Sequence, residues 1–404
     1  MSIEIPLKYK HLLEPVDNVD KIDNRTDDEI INSLREYKPV TSEKNIWTFW
    51  DSGIDGMPAW CRRNVVGWVR ISGPEWTIRI VDDIPDSPNY GGKFIPKGLP
   101  DSYYAGTMDG THPGPHKADF LRGACIYEYG GAWIDSSTFL VRTIDDICWD
   151  ELENPESPFR VAVPVFSSGL LNCFIAARKH DPFIKRWQDI FMAIWQGHTN
   201  SNGLAKHPLL QDIIPLWLKF FEPHINGGMG LTVDVDKVTE YAAQMLCWQR
   251  VFMLEDVGDG FSGADYWPKN ILHIRCIEEL LHAFYVPGSE VPDFRRGKEL
   301  FEQFSLKRDG PKDSAQYQAA EKMVWSVLTQ SSMLKIGTIK GMVDWVSLSN
   351  LWARPENLGK DCEPGTFVEL LRIVPLHYRQ RRKGIKTFEG NKYPVTLKKG
   401  HLEP

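Results

Sequence analysis

Apolar and polar positions along this chain follow two periods. From His116 to Val141 the sequence reads HKADFLRGACIYEYGGAWIDSSTFLV, and Ala118, Leu121, Ala124/Cys125 and Tyr129 recur every three to four residues. That spacing predicts a helix with one buried stripe. Gly130-Gly131 ends it, because glycine tolerates the left-handed backbone of a helix terminus. Ala132-Trp133-Ile134 is then a short apolar strand that delivers Asp135 at its carboxyl end. In open α/β sheets that edge is where ligands bind. Similar runs predict strands over 46–50, 76–81, 139–141, 160–166 and 172–177. Helical spacing is predicted over 26–36, 58–71, 181–196, 208–221, 235–250, 277–284, 320–328 and 341–351. The segment 84–115 is irregular and rich in Pro, Gly, Asp and Ser. Pro113 and Pro115 flank the space between His112 and His116, so these two read as loop histidines rather than as a helical ligand pair.

This order of elements predicts an α/β fold divided in three: an arm and helix in 1–44, an α/β domain over 45–290, and a helical extension with a basic tail over 291–404. The polar run 293–316 reads as a linker.

Composition narrows the classes. The 404 residues are 42% hydrophobic and 25% charged, ordinary for a globular protein, with ample length for a core. A net charge of −7 gives no global field for nucleic acid. The tail 378–404 holds eight Lys or Arg against two Glu, a pattern of either a solvated tail or a peripheral contact with anionic lipid. The seven cysteines are odd in number, scattered and without a C-x-x-C pair, so neither a zinc site nor a disulfide framework is suggested. They favour a reducing compartment. The chain shows no signal-peptide h-region and no apolar run long enough for a membrane span, so a cytoplasmic location is expected.

The candidate chemistry sits on the central stretch. Asp119 and Arg122 are three apart and so share a helix face, and the following strand brings Asp135 toward them. Asp82 ends an earlier strand, where an acidic residue can hold a ribose or base. Lys117-Ala118-Asp119-Phe120-Leu121-Arg122 followed by Tyr129-Gly130-Gly131-x-Trp133-x-Asp135 resembles the core motif of glycosyltransferases with the nucleotide-sugar (GT-A) fold. The branch it is most similar to is that of the capsular polysaccharide synthesis proteins, whose fungal members glycosylate small molecules such as triterpenoids.

The resemblance implies a Rossmann-like GT-A sheet and transfer of a hexose from a nucleotide-diphosphate sugar, UDP-glucose first, to a small-molecule hydroxyl. It implies retention of anomeric configuration. Asp135 would be the catalytic residue, and Asp119, Arg122, Gly130, Gly131, Asp135, Ser136, Ser137 and Asp82 would bind the donor. Ser167, Ser168 and Asn172 would line the acceptor side. Such enzymes hold Mg²⁺ or Mn²⁺ on an Asp-x-Asp pair, with Asp135 as the metal ligand here; Ser137 replaces the second aspartate, so either a weakly held cation or Arg and hydroxyl donors alone would stabilise the pyrophosphate. On the helix over 235–250, Asp234, Glu240, Tyr241 and Gln244 are polar candidates among which the sequence does not choose. Two other functions remain open at this stage: a polysaccharide or glycolipid transferase, and a non-catalytic nucleotide-sugar-binding protein.

Overall fold

A computed structural model describes residues 3–16, 23–166, 169–219, 232–286, 292–337, 341–390 and 395–404. The strands that build its centre are β1 (Asn45–Phe49), β2 (Thr77–Val81), β3 (Gly131–Ile134), β4 (Thr138–Leu140), β5 (Val161–Phe166), β6 (Gly169–Leu170), β7 (Phe174–Ala177), β8 (Ile271–Arg275), β9 (Met333–Lys335) and β10 (Thr387–Phe388). One sheet runs β10-β8-β5-β7-β3-β1-β2, with β6 paired to β5. Strands β1, β2 and β3 are parallel to one another, as are β5 and β8, while β7 runs antiparallel between β3 and β5. The carboxyl ends of β1, β2, β3, β5 and β8 therefore share one edge, and β7 starts there.

The mixed α/β class follows from strands that are buried on both faces. Ile46, Ile78, Ile80, Ala132, Ile134, Ala162, Phe174 and Ile274 enter one apolar cluster. Their neighbours Trp47, Val81, Trp133, Val161, Val163, Ile175 and Ile271 enter a second. This is the two-residue alternation of a strand, with hydrophobic partners on each side. Against the first face pack helices α1 (Ala59–Ser72), α5 (Ala315–Gln330) and α6 (Phe367–His377). Against the second pack α2 (Pro113–Tyr129), α3 (Pro182–Ile194) and α4 (Ala243–Met253).

Several local expectations change, and the helices expected over 277–284 and 341–351 shorten to Cys276–Glu279 and Leu348–Trp352. Helix α2 starts at Pro113, so His116 is a buried helical residue and not a loop histidine. Prolines are tolerated there because the first-turn N–H groups lack helical acceptors in any case. The helix expected over 235–250 is two, Val235–Tyr241 and Ala243–Met253. The 293–316 run is no linker: it contains the helix Gly297–Ser305, which buries Leu300 and Phe304 completely. The basic tail is woven into the fold, with Tyr378–Gln380 paired to Leu13–Pro15, β10 closing the central sheet, and Leu397–Lys398 paired to Leu254–Asp256. Arg381, Arg382 and Lys399 meet Glu14, Glu279 and Asp256. Among the described residues no helix is long and apolar enough to cross a membrane. All seven cysteines are free, and six are buried.

Candidate functional site

Helix α2 and strand β3 meet at the carboxyl edge of the sheet. Asp119 and Arg122 are only 8% and 4% exposed, so the pair is buried, unlike the solvated i,i+3 pair of an open helix surface. The Arg122 guanidinium lies over the Trp133 ring, 5.1 Å from its centroid. Its Nη1 donates to Asp119 Oδ1 and, at 2.5 Å, to Gln244 Oε1, while Nη2 reaches Asp135 Oδ1 at 3.4 Å. Trp133 Nε1 donates to the same Asp135 oxygen at 3.1 Å. Strand β3 thus orients its own terminal carboxylate, and the backbone of Asp135 is held by Cys173 O at 2.9 Å.

Two residues complete this corner from distant parts of the chain. Gln244, from α4, accepts from Arg122 and from Asn172 Nδ2 (2.9 Å), and it donates to the Asp119 carbonyl. Asn172 also donates to Asp119 Oδ1 at 3.3 Å, which links the start of β7 to the cluster. The other is Lys335, the last residue of β9. Strand β9 pairs antiparallel with β4 in a register that sets Lys335 opposite Thr138. Its Nζ donates to Asp135 Oδ2 at 2.8 Å and to Ser137 Oγ at 2.6 Å. A lysine in an apolar strand some two hundred residues from Asp135 carries no sequence signal, since only the tertiary pairing brings it in. Gln244 did carry one, as a polar residue on a packing helix.

The electrostatics of the corner follow from these partners. Burial alone would push the Asp135 carboxyl up, but the Lys335 ammonium and the Arg122 guanidinium outweigh it and hold the group below the usual carboxylate range. Burial would likewise lower Lys335 and Arg122, yet the neighbouring carboxylates raise both. All three side chains are therefore charged at neutral pH. The Asp135 side chain keeps 30% of its surface open, so the corner is accessible from solvent. Two buried nitrogens there, Arg122 Nε and His116 Nε2, have no hydrogen-bond partner among the described residues. His116 Nδ1 lies 3.6 Å from Asp119 Oδ2, and the ring packs on Trp195 and Tyr241.

The other residues singled out from sequence divide. Ser137 joins the corner through Lys335. Ser136 is buried toward α1, where its carbonyl accepts from Asn64 Nδ2 at 2.9 Å. Asp82 lies on the same sheet edge, but its carboxylate accepts from Ser87 Oγ and the Ile84 N–H, and burial raises its pKa. Gly130 and Gly131 sit at the opposite end of β3 from Asp135, with φ of 70° and 99°. A Cβ on Gly131 would lie 2.3 Å from the Asn45 carbonyl oxygen, so this pair makes the tight helix-to-strand turn away from the Asp135 corner. Ser167 and Ser168 lie outside the described residues. On the helix pair after 234, Asp234 caps its own helix, Glu240 accepts from the Gly203 N–H and Lys237, and Tyr241 packs between His112 and His116.

The donors at this corner do not fit a divalent cation. Ser137 stands where a second carboxylate would be, and both oxygens of Asp135 already face a cationic side chain. Among the described residues no three His, Cys, Asp or Glu side chains converge closely enough to hold a metal ion.

Comparisons with known proteins bear on this site. Residues 14–214 match the family described as "Capsular polysaccharide synthesis protein". The chain is 43% identical over 406 aligned residues to "Probable glycosyltransferase FCK3" of Fusarium pseudograminearum, covering 100% of both chains. It is 36% identical to "O-glycosyltransferase braB" of Annulohypoxylon truncatum over 95% of this chain and 92% of that one, and 34% identical to "O-glycosyltransferase PaGT" of Phomopsis amygdali over 90% and 89%.

Proposed function

The chain belongs to the fungal glycosyltransferase family of FCK3, braB and PaGT, and from that premise we propose that it transfers a hexose from a nucleotide-diphosphate sugar to a hydroxyl of a small-molecule acceptor. UDP-glucose is the first donor to test, and a terpenoid is the first acceptor class. The observation that carries this reading is the buried Asp119–Arg122–Asp135 cluster on the carboxyl edge of the sheet, in a chain whose full-length relative is named a glycosyltransferase. Two relatives named O-glycosyltransferases support an oxygen acceptor. The parallel strands ending at one edge, with antiparallel β7 among them, support a GT-A reading of the sheet.

In this reading Asp119 accepts hydrogen bonds from sugar hydroxyls, and Arg122 faces the sugar and the pyrophosphate. Its guanidinium is held by Asp119, Gln244 and the Trp133 face, so its charge is placed before the donor arrives, which is how fixed dipoles and charges lower a barrier. Asn172 extends the cluster toward the acceptor side. No lysine, serine or carboxylate is assigned as a covalent nucleophile. Attack and departure on one face of the sugar, with retention, is the mechanism proposed. The free thiols support a reducing, cytosolic setting. The test is a screen of UDP-glucose, UDP-galactose, UDP-N-acetylglucosamine and GDP-mannose with purified protein, followed by release of the nucleoside diphosphate. Turnover of one donor is expected, and turnover of none contradicts the reading.

A further inference from the structure

We propose that Lys335 is a catalytic cation of this reaction, standing where the resemblance would place a divalent metal, and that transfer proceeds without a metal ion. The inference rests on the reading that Asp135 faces the donor diphosphate.

Charge counting makes the first argument. Relative to an Asp-x-Asp corner, Ser137 removes one negative charge and Lys335 adds one positive charge. Together these equal the charge that Mg²⁺ or Mn²⁺ would bring. The arrangement of contacts makes the second. Lys335 Nζ holds Asp135 Oδ2 at 2.8 Å and Ser137 Oγ at 2.6 Å, while Arg122 and Trp133 approach Asp135 Oδ1 from the other side. A metal on either oxygen would have to displace one of these cations or sit against it. Asp135 and Ser137 take two of the three N–H donors of the ammonium, and the third can meet a phosphate oxygen.

The placement of Lys335 is also built into the backbone. Lys335 N donates to Leu280 O at 3.0 Å, and Ile336 N donates to Ser137 O at 2.9 Å, so the strand is tied on both sides of the lysine. Gly337 permits the approach: a Cβ there would come within 2.6 Å of Ser137 Oγ and 3.5 Å of Lys335 Nζ. Side-chain direction, strand register and a glycine thus agree on one position for the ammonium.

In the transfer step the acceptor hydroxyl oxygen bonds to the anomeric carbon. The bond from that carbon to the β-phosphate oxygen breaks, its electron pair leaves on the nucleoside diphosphate, and the hydroxyl proton passes to the departing diphosphate. Lys335 donates its N–H to the oxygen on which charge develops, with Arg122 as the second cation.

The experiment uses the full-length protein and whichever donor the screen identifies, with turnover measured in EDTA and in Mn²⁺. Lys335→Met and Lys335→Arg are assayed beside it, with melting midpoints recorded. Wild-type turnover is expected to stay within about twofold between EDTA and Mn²⁺. Lys335→Met should lower kcat about 100-fold, with the donor KM changed far less, and Lys335→Arg should restore a large part of the loss. Loss of wild-type turnover in EDTA with recovery in Mn²⁺ would overturn the proposal, as would a folded Lys335→Met protein with wild-type kcat. The chelation arm stands even where a variant fails to fold. Absence of turnover for every donor would instead remove the transferase reading on which the proposal rests.

Discussion

Arg122 divides its guanidinium among Asp119, Gln244 and Asp135 while stacking on Trp133, so one side chain joins a helix, a strand and a second helix. Of these partners Asp119 and Asp135 are legible in the sequence, because both sit within one helix-strand unit whose spacing fixes their faces. Gln244 is legible only as one polar candidate among four on its helix, and Lys335 on the far side of Asp135 is not legible at all, because their places depend on how α4 and β9 dock. A different residue gives the pH prediction. His273, on β8, is 2% exposed, its ring lies 4.1 Å from that of Trp267, and its Nε2 has no hydrogen-bond partner among the described residues. Burial pushes its pKa down to about 4, from an ordinary value of 6.5. The native protein therefore holds this ring neutral where the unfolded chain would protonate it. Its contribution is intact above pH ~6.5 and is lost as pH falls toward ~4, by up to about 3 kcal/mol. Denaturant unfolding at pH 8 and pH 5 should show this decline, and His273→Leu should flatten it; an unchanged pH slope in the variant would contradict the assignment.

At the scale of elements, α2 and β3 are the unit on which the site depends, and their junction is the sharpest test of it. The helix and strand were readable because Gly130-Gly131 separates a three-to-four spacing from an apolar run. The turn these glycines make lies at the end of β3 opposite Asp135 and not at the corner where the donor is expected. Its role is backbone geometry: Gly131 has φ of 99° and faces the Asn45 carbonyl at a distance no Cβ can share. Gly131→Ala should destabilise the fold by about 2 kcal/mol or more, read as a lowered melting midpoint. A midpoint equal to wild type would show that the turn relaxes freely. The start of α2 lies earlier than the prolines suggest, because prolines that stop a helix interior are welcome in its first turn.

Over the whole molecule, the C-terminal third is the least legible part, since its polar runs and short strands acquire meaning only by pairing with and packing on the rest of the fold. It reaches the site twice. One route is Lys335. The other is Asp361, which pairs with Arg63 of α1 and Arg372 of α6; Arg372 also reaches Asn64, whose amide holds the Ser136 carbonyl beside Asp135. The Asp361 side chain is 2% exposed, and although burial opposes its charge, the two guanidinium groups keep its pKa low. Asp361→Asn would leave two cations short of their carboxylate, and a loss of about 3 kcal/mol is expected in denaturant unfolding. A loss below about 0.5 kcal/mol would show that the network does not bind the C-terminal third to the sheet.

The central claim is that sugar transfer takes place at the corner where Asp135 meets Arg122 and Lys335. Its most direct test is nucleoside diphosphate release by wild type and by Asp135→Asn, measured side by side with the melting midpoint of each. The expected result is turnover of a nucleotide sugar by the wild type and a loss of about 100-fold or more in a variant that remains folded. A folded Asp135→Asn protein that releases the diphosphate at the wild-type rate would place the chemistry elsewhere.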